Sequence, residues 1–114
     1  MKQSIENIAV VGTGVIGTGW IIRFLFNKKK VLVFDPQLKQ KKFLINEIKR
    51  VKPILNKIYK KKIDLSRQLK FCSSIKEAVQ NADLIQENAP ENESLKIKII
   101  KEISENAKKN IIIA

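Results

Sequence analysis

The stretch NIAVVGTGVIGTGW, residues 7–20, decides the fold of this chain. It completes an apolar run over residues 5–11 that is rich in β-branched side chains, which is typical of a buried parallel strand. Three glycines follow at once in the spacing G-x-G-x-x-G, and apolar residues at helical spacing continue to residue 27. A strand, a glycine turn and a helix in this order are predicted to open a βαβ unit.

The rest of the chain keeps this alternation of strands and helices. Apolar runs predict strands at residues 31–34, 69–72, 83–87 and 111–114, and helical spacing predicts helices at 37–62, 75–81 and 92–109. The predicted fold class is α/β: a Rossmann-type, doubly wound parallel sheet of about five strands with helices on both faces, truncated at the fifth strand. A single domain over residues 1–114 accounts for the length.

Several local features of these elements can be predicted as well. Pro53 lies inside the longest helix, where we expect a kink or a break. Ser73 or Ser74 is expected to cap the helix at 75–81. The last helix is expected to bury its apolar positions. Residues 111–114 are expected to begin another strand of the buried type, and at the edge of an incomplete sheet residues 111–113 would be exposed. The apolar positions of that helix are Leu95, Ile99, Ile100 and Ile103.

The glycine turn has the spacing of a phosphate-binding loop. In such a loop the first glycine permits a tight turn, the second lets the backbone approach a pyrophosphate, and the third lets the helix pack closely on the strand. The helix N-terminus adds free N–H groups and the positive end of its dipole. A coincidental glycine turn is the alternative, but the flanking strand and helix favour a dinucleotide site. The predicted cofactor-binding residues of the loop are Gly12, Thr13, Gly14, Val15, Ile16 and Gly17.

Asp35 ends the second predicted strand and is the predicted ribose-binding acid of this site. Its carboxylate would accept hydrogen bonds from both hydroxyls of the adenosine ribose and repel a 2′-phosphate, which favours NAD over NADP. Asp35 could instead only cap the next helix, with Pro36 at its first position, or it could do both. Lys39 and its lysine neighbours lie close in sequence and could tolerate a phosphate, so strict NAD preference stays open.

The charge of the chain is strongly positive, with 23 Lys and Arg against 11 Asp and Glu and a net charge of +12. Nucleic-acid binding would need a basic patch interleaved with aromatic residues, or arginines that read bases. Here the lysines are spread over several segments and arginine is scarce, so no nucleic-acid partner is expected. The abundance of Lys, Ile and Asn, whose codons are A/T-rich, offers a compositional explanation. Attraction of small anions by this field is still expected.

The composition also bears on metals, disulfides and membranes. The chain has no His and a single Cys, Cys72, so we expect no metal site and no internal disulfide. Cys72 is interpreted as a small strand hydrophobe. The uncharged run over residues 7–22 is shorter than the roughly 18 to 20 apolar residues of a spanning helix and is rich in glycine. No membrane partner and a cytoplasmic location are therefore expected.

Three segments together resemble the NAD-binding domain of the 3-hydroxyacyl-CoA dehydrogenase family. They are residues 12–20 (GTGVIGTGW), 34–36 (FDP) and 86–91 (QENAPE), and the resemblance extends over essentially the whole chain. Gly19-Trp20 and the segment KPIL at 52–55 resemble the L-carnitine dehydrogenase branch most, with lambda-crystallin next. The resemblance implies NAD as cofactor and a small 3-hydroxy acid or an acyl-CoA as substrate.

The resemblance also assigns roles in the loop that follows the strand at 83–87. It places Ala89 and Glu91 at the cofactor, with Glu91 on the nicotinamide-ribose side, and it brings Lys96 near NAD. Glu91 could instead stabilise only the dipole of the next helix, and Lys96 could be a solvated surface lysine. Trp20 is expected to pack on its helix rather than touch the cofactor.

The catalytic residues that the resemblance implies are not found in this chain. The family uses a His oriented by a Glu to take the hydroxyl proton, and a Ser in a turn after the fifth strand. We therefore expect these groups, and a helical substrate and dimerisation domain, beyond Ala114. The chain is expected to be a fragment that binds NAD without dehydrogenase activity, and a homodimer only when that domain is present. A non-catalytic NAD-binding module is the alternative from another class.

Overall fold

A computed structural model describes residues 5–37, 39–59, 63–88 and 92–114. Strands and helices alternate along the chain as the apolar pattern predicts. Most of the observed element ends lie within a few residues of the predicted ones. The elements are β1 (Asn7–Val11), α1 (Val15–Phe26), β2 (Lys30–Phe34), α2 (Lys39–Tyr59), α3 (Leu65–Gln68), β3 (Leu69–Phe71), α4 (Ile75–Val79), β4 (Leu84–Glu87), α5 (Glu93–Asn106) and β5 (Ile112–Ile113).

The five strands form one parallel sheet in the order β3-β2-β1-β4-β5. The chain moves outward from β1 to β3, returns to β4 on the other side of β1, and moves outward again to β5. The predicted doubly wound class is therefore confirmed. In such a sheet, ligands bind at the carboxyl ends of the strands where the order reverses, which here is between β1 and β4.

Each face of the sheet is covered by its own apolar cluster, so β1 is buried on both sides. Ile8 and Val10 of β1 pack under α1 and α2, whereas Ala9 and Val11 face α4 and α5. This explains why β1 is a continuous apolar run with no alternation of polar residues. The core thereby fixes the position of the glycine turn that leaves β1 at its carboxyl end.

The amino edge of the sheet is held together by Asp83. Its Oδ2 accepts hydrogen bonds from the backbone N–H groups of Asn7 at 2.9 Å and Glu6 at 3.1 Å, and Lys108 Nζ lies 3.4 Å from Oδ1. The N–H of Asn7, with smaller contributions from Glu6 and Lys108, lowers the pKa of Asp83. The starts of β1 and β4 are thus joined by a group that is already fully engaged within the protein.

Two local expectations need correction. Of the kink or break expected at Pro53, the break is wrong, because α2 continues through this residue. Pro53 is exposed, so water can reach the carbonyl that loses its partner. Of the apolar positions expected to be buried in α5, Leu95 and Ile100 are exposed, because α5 packs mainly on α4 along a narrow stripe. The strand at the end of the chain is confirmed, and Ile112 and Ile113 are exposed at the sheet edge, as expected for the last strand of an incomplete sheet.

No helix in the described part of the chain is long and apolar enough to cross a membrane.

Candidate dinucleotide site

A cleft of about 290 Å³ lies at the carboxyl ends of β1, β2 and β4. It therefore occupies the reversal point of the strand order, where the topology places ligands. The turn after β1 forms one wall, and the residues that follow β2 and β4 form the others. The lining residues are Val11, Gly12, Thr13, Gly14, Asp35, Pro36, Gln37, Gln40, Asn88 and Ile99.

The three glycines of the turn differ in their backbone conformation and in the space around them. Gly12 has a φ of 91°, and its N–H donates to the carbonyl of Phe34 at 2.8 Å, which ties the tight turn to β2. A Cβ at Gly17 would lie 2.5 Å from the carbonyl oxygen of Gly12, so α1 can approach the turn only with glycine there. A Cβ at Gly14 would meet no atom within 4 Å, so its backbone faces open space.

No side chain in the described part of the chain caps the N-terminus of α1. Gly14, the residue before the helix, offers no capping side chain, and the first turn of α1 contains no acidic residue. The first N–H groups of a helix have no partner within the helix, and together with the dipole they favour an anion. Ile16, in this first turn, is exposed rather than part of the cleft lining. The exposed side chain of Ile16 thus does not contribute to the cleft lining.

The carboxylate of Asp35 is held beside the glycine turn. The N–H and the hydroxyl of Thr13 both donate to Oδ2 of Asp35 at 2.8 Å, and the N–H of Gln37 donates to Oδ1 at 2.8 Å. The bond to Gln37 closes a local turn at the end of β2. Asp35 therefore closes a local turn and also lines the cleft. The expected cap with Pro36 as the first helical residue is wrong, because α2 begins at Lys39.

Two polar residues lie at the carboxyl end of β4, and neither is among the predicted site residues: Glu87 ends the strand and Asn88 follows it. Asn88 lines the cleft, and its N–H donates to the carbonyl of Val11 at 2.8 Å. Its side-chain oxygen accepts from Gln86 at 3.2 Å, while its buried Nδ2 finds no hydrogen-bond partner among the described residues. A buried donor without a partner is costly, which fits a position that a ligand completes. The sequence feature that could have indicated Asn88 is its position directly after the predicted strand at residues 83–87.

The second polar residue at the end of β4 is Glu87, whose side chain is only 8% exposed. Its Oε2 lies 3.7 Å from Nζ of Lys96 on α5. Lys96 is therefore brought to the end of β4, although it does not line the cleft. Ala89 and Glu91, the other two predicted site residues after β4, lie outside the described residues.

Two further residues considered in the sequence lie away from the cleft lining. The ring of Trp20 stacks on Phe24 of the same helix with centroids 5.7 Å apart, in line with a packing role. Burial raises the pKa of the Cys72 thiol, so this cysteine is not an activated nucleophile. Among the residues the structure describes, no group of three or more His, Cys, Asp or Glu side chains could hold a metal ion.

A family model for the NAD-binding domain of 3-hydroxyacyl-CoA dehydrogenase matches residues 7–114. The chain belongs to this family. NAD is therefore the cofactor of the domain, in agreement with the glycine spacing and the acid at the end of β2. The match covers every strand of the sheet and the whole candidate cleft.

Curated and solved relatives agree with this assignment. An L-carnitine dehydrogenase from Oceanobacillus iheyensis is 43% identical over 108 residues, which are 95% of this chain and 35% of that protein. The chain thus spans about a third of the length of the curated relatives it matches.

Solved dehydrogenases share the fold. The NAD⁺-dependent dismutase 5-formyl-3-hydroxy-2-methylpyridine 4-carboxylic acid 5-dehydrogenase is 26% identical, with a TM-score of 0.81 over 96% of this chain and 36% of that one. The (S)-3-hydroxybutyryl-CoA dehydrogenase of Ralstonia eutropha, 24% identical, has a TM-score of 0.75 over 96% of this chain and 40% of that one.

Proposed function

We propose that the chain binds NAD in the cleft between β1 and β4, with the pyrophosphate on the N-terminus of α1 and the adenosine ribose at Asp35. The observation that carries this proposal is the uncapped first turn of α1 behind Gly14, whose backbone faces open space. Asp35 at the neighbouring strand end supplies the acceptor that a ribose hydroxyl needs.

The residues around the cleft fit this cofactor. The glycine turn, with Thr13, Val15 and Ile16 between its glycines, would hold the phosphates through backbone groups. Asn88, with its unpartnered buried Nδ2, would donate to the cofactor on the β4 side. Ala89, Glu91 and Lys96 belong to the proposal on the nicotinamide side, as the family resemblance implies, and the ion pair with Glu87 supports the position of Lys96.

We further propose that this domain is the cofactor half of an NAD-dependent 3-hydroxy-acid oxidoreductase, with L-carnitine as substrate. Curated relatives between 34% and 43% identical carry the name L-carnitine dehydrogenase. Bound NAD supplies the hydride acceptor, while the domain's own residues bind and orient it. Because the chain contains no His, the base for the hydroxyl proton would come from outside these 114 residues. The 114 residues alone should therefore form no NADH.

The remaining parts of the proposal concern the whole protein. A cytoplasmic location suits an NAD-dependent enzyme, and a homodimer would form only through a helical substrate domain that these residues do not contain. The second candidate function is 3-hydroxyacyl-CoA dehydrogenase, which the matching family model favours by its name. An NAD-binding module without catalysis is the candidate from another class.

Calorimetric titration of the purified chain tests the cofactor site. We expect saturable binding of NAD⁺, about tenfold weaker binding in Asp35→Ala, and less discrimination against NADP⁺ in that variant. NADH formation with L-carnitine is measured on the same sample and should be absent. Affinity for NAD⁺ that is unchanged by Asp35→Ala, or NADH formation by the chain alone, would contradict the proposal.

Two chimeras separate the substrate alternatives. In the first chimera, residues 1–114 replace the matching part of the Oceanobacillus iheyensis L-carnitine dehydrogenase. In the second chimera, they replace the matching part of the Ralstonia eutropha (S)-3-hydroxybutyryl-CoA dehydrogenase. If this is the cofactor half of a carnitine enzyme, its surface should fit only the first host, and only that chimera should reduce NAD⁺. Activity confined to the second chimera would favour the acyl-CoA function, and inactivity of both, when both are folded, would favour the module without catalysis.

A further inference from the structure

Two threonines in the glycine turn and the helix after it are the buried polar residues in the described part of the chain. Thr13 is only 1% exposed. Its carbonyl oxygen accepts hydrogen bonds from the N–H of Thr18 at 2.8 Å and from the hydroxyl of Thr18 at 3.0 Å. Thr13 is therefore fixed by the first turn of α1 before any ligand binds.

The other polar groups of Thr13 are directed at Asp35. Its N–H and its hydroxyl each donate to Oδ2 of that carboxylate at 2.8 Å, whereas the side chain of Gln40 is farther from the hydroxyl, at 3.5 Å. A carboxylate offers about four acceptor positions in all, two on each oxygen. Thr13 fills both positions on Oδ2, and the N–H of Gln37 fills one on Oδ1.

We propose that Thr13 is a specificity-determining residue that positions the carboxylate of Asp35 for NAD and against NADP. This inference rests on the proposed NAD site. With Oδ2 held by Thr13, the remaining acceptor position is on Oδ1, where it can meet a ribose hydroxyl. The two donors also prevent the carboxylate from rotating aside, so its charge stays in the place of a 2′-phosphate.

Loss of the Thr13 hydroxyl should mainly lower the preference for NAD⁺ over NADP⁺ and have a smaller effect on the stability of the fold. Only the N–H of Thr13 would then hold Oδ2, and the carboxylate could swing into solvent. A 2′-phosphate could then enter the vacated place. Lys39 would attract it by its charge, because Lys39 lines a neighbouring pocket that shares Gly14 and Gln40 with the cleft. NADP⁺ binding should improve relative to NAD⁺, although the charge of Asp35 is unchanged.

The test measures dissociation constants for NAD⁺ and NADP⁺ by calorimetry on the full chain and its variants. Thr13→Val keeps the volume and removes the hydroxyl, and we expect the preference for NAD⁺ to fall about tenfold. Thr13→Ser keeps the hydroxyl and should keep the preference within about twofold. In the background of Asp35→Ala, Thr13→Val should cause no further change in the preference, because the group it positions is gone.

The outcomes separate this inference from the proposed function. If the wild-type chain does not bind NAD⁺, both fail. If it binds NAD⁺ but Thr13→Val keeps the wild-type preference, or Thr13→Ser loses as much as Thr13→Val, only the inference fails. A purely structural role would weaken both cofactors equally and lower the melting temperature, and that result also overturns the inference. Should Thr13→Val not fold, Thr13→Ala takes its place with the same expectations.

Discussion

Helices α1 and α4 both begin at the carboxyl edge of the sheet, but α4 caps its N-terminus with side chains and α1 does not. The hydroxyl of Ser74 accepts from the N–H of Glu77 at 3.1 Å. The carboxylate of Glu77 accepts from the N–H of Ser73 at 3.0 Å and from its hydroxyl at 2.8 Å. The first turn of α1, behind Gly14, has neither a capping side chain nor an acid.

Under the proposed function, the N-terminus of α4 contributes to stability and the N-terminus of α1 binds the cofactor. In the five-residue helix α4, the hydroxyl of Ser74 satisfies the N–H of Glu77, and such a cap is worth about 1 kcal/mol. The longer helix α1 is held by its buried face, so it forms without a cap. In the proposed NAD site, the pyrophosphate binds at this N-terminus. Variants of the two helix ends test this contrast.

Gly14→Val should reduce NAD⁺ affinity more than about a hundredfold, because the side chain would occupy the place of the pyrophosphate. The matched control is Gly19→Val, on α1 outside the cleft, where an added Cβ also meets no atom within 4 Å. Titration calorimetry of both variants gives the comparison, with circular dichroism as the check of folding. Equal NAD⁺ affinity in the two variants would place the pyrophosphate elsewhere.

Ile16→Glu makes the N-terminus of α1 resemble that of α4 by placing an acid in its first turn. NAD⁺ should bind about tenfold more weakly, because the carboxylate competes with the pyrophosphate for the same positive end. The free energy of unfolding should rise by about 0.5 kcal/mol for the same reason. Ile16→Gln is the uncharged control. A gain in stability without any loss of NAD⁺ affinity would show that the cofactor does not bind at this helix end.

Ser74→Ala removes the cap of α4. We expect the free energy of unfolding to fall by about 1 kcal/mol, because the N–H of Glu77 loses its acceptor. NAD⁺ affinity should not change, since Ser74 does not line the cleft. Urea denaturation and calorimetry on one preparation measure both quantities. Weaker NAD⁺ binding at unchanged stability would reverse the roles assigned to the two helix ends.

Glu77 should make the stability of the fold depend on pH in the acidic range. The N–H and hydroxyl of Ser73, with a smaller contribution from Lys70, lower the pKa of Glu77 to about 2 from its usual 4.5. A lowered carboxyl pKa stabilises the fold above pH 4.5, and this contribution is lost as the pH falls toward 2. In Glu77→Gln, unfolding midpoints measured across this window should vary less with pH than in the wild type. An identical pH dependence in both proteins would show that the bonds of Glu77 do not contribute.

The fold could be predicted because its decisive features are local. Residues 7–20 contain a strand, a turn and a helix start in one stretch, and apolar runs at the right spacing give the remaining strands. The helix α3 was missed because four residues do not show a helical period. The exposure of Leu95 could not be predicted either, because the neighbours that cover a helix depend on the assembled sheet.

The candidate site was predictable to the same extent. The glycine turn and Asp35 follow from spacing along the chain. The hydrogen bonds between Thr13 and Asp35 join residues 22 apart in sequence, and nothing in the type of either residue predicts that they pair. The unpartnered Nδ2 of Asn88 and the pairing of Glu87 with Lys96 likewise require the strand ends to be assembled. Contacts between elements therefore had to come from the structure.

The most direct test of the central claim is a titration of the ¹⁵N-labelled chain with NAD⁺, followed by amide chemical shifts. The claim predicts saturable shifts that are largest at Gly12, Gly14 and Gly17 in the turn and at Asp35, with Ser74 and Asp83 unchanged. Largest shifts at the amino edge around Asp83, or shifts that do not saturate, would contradict it.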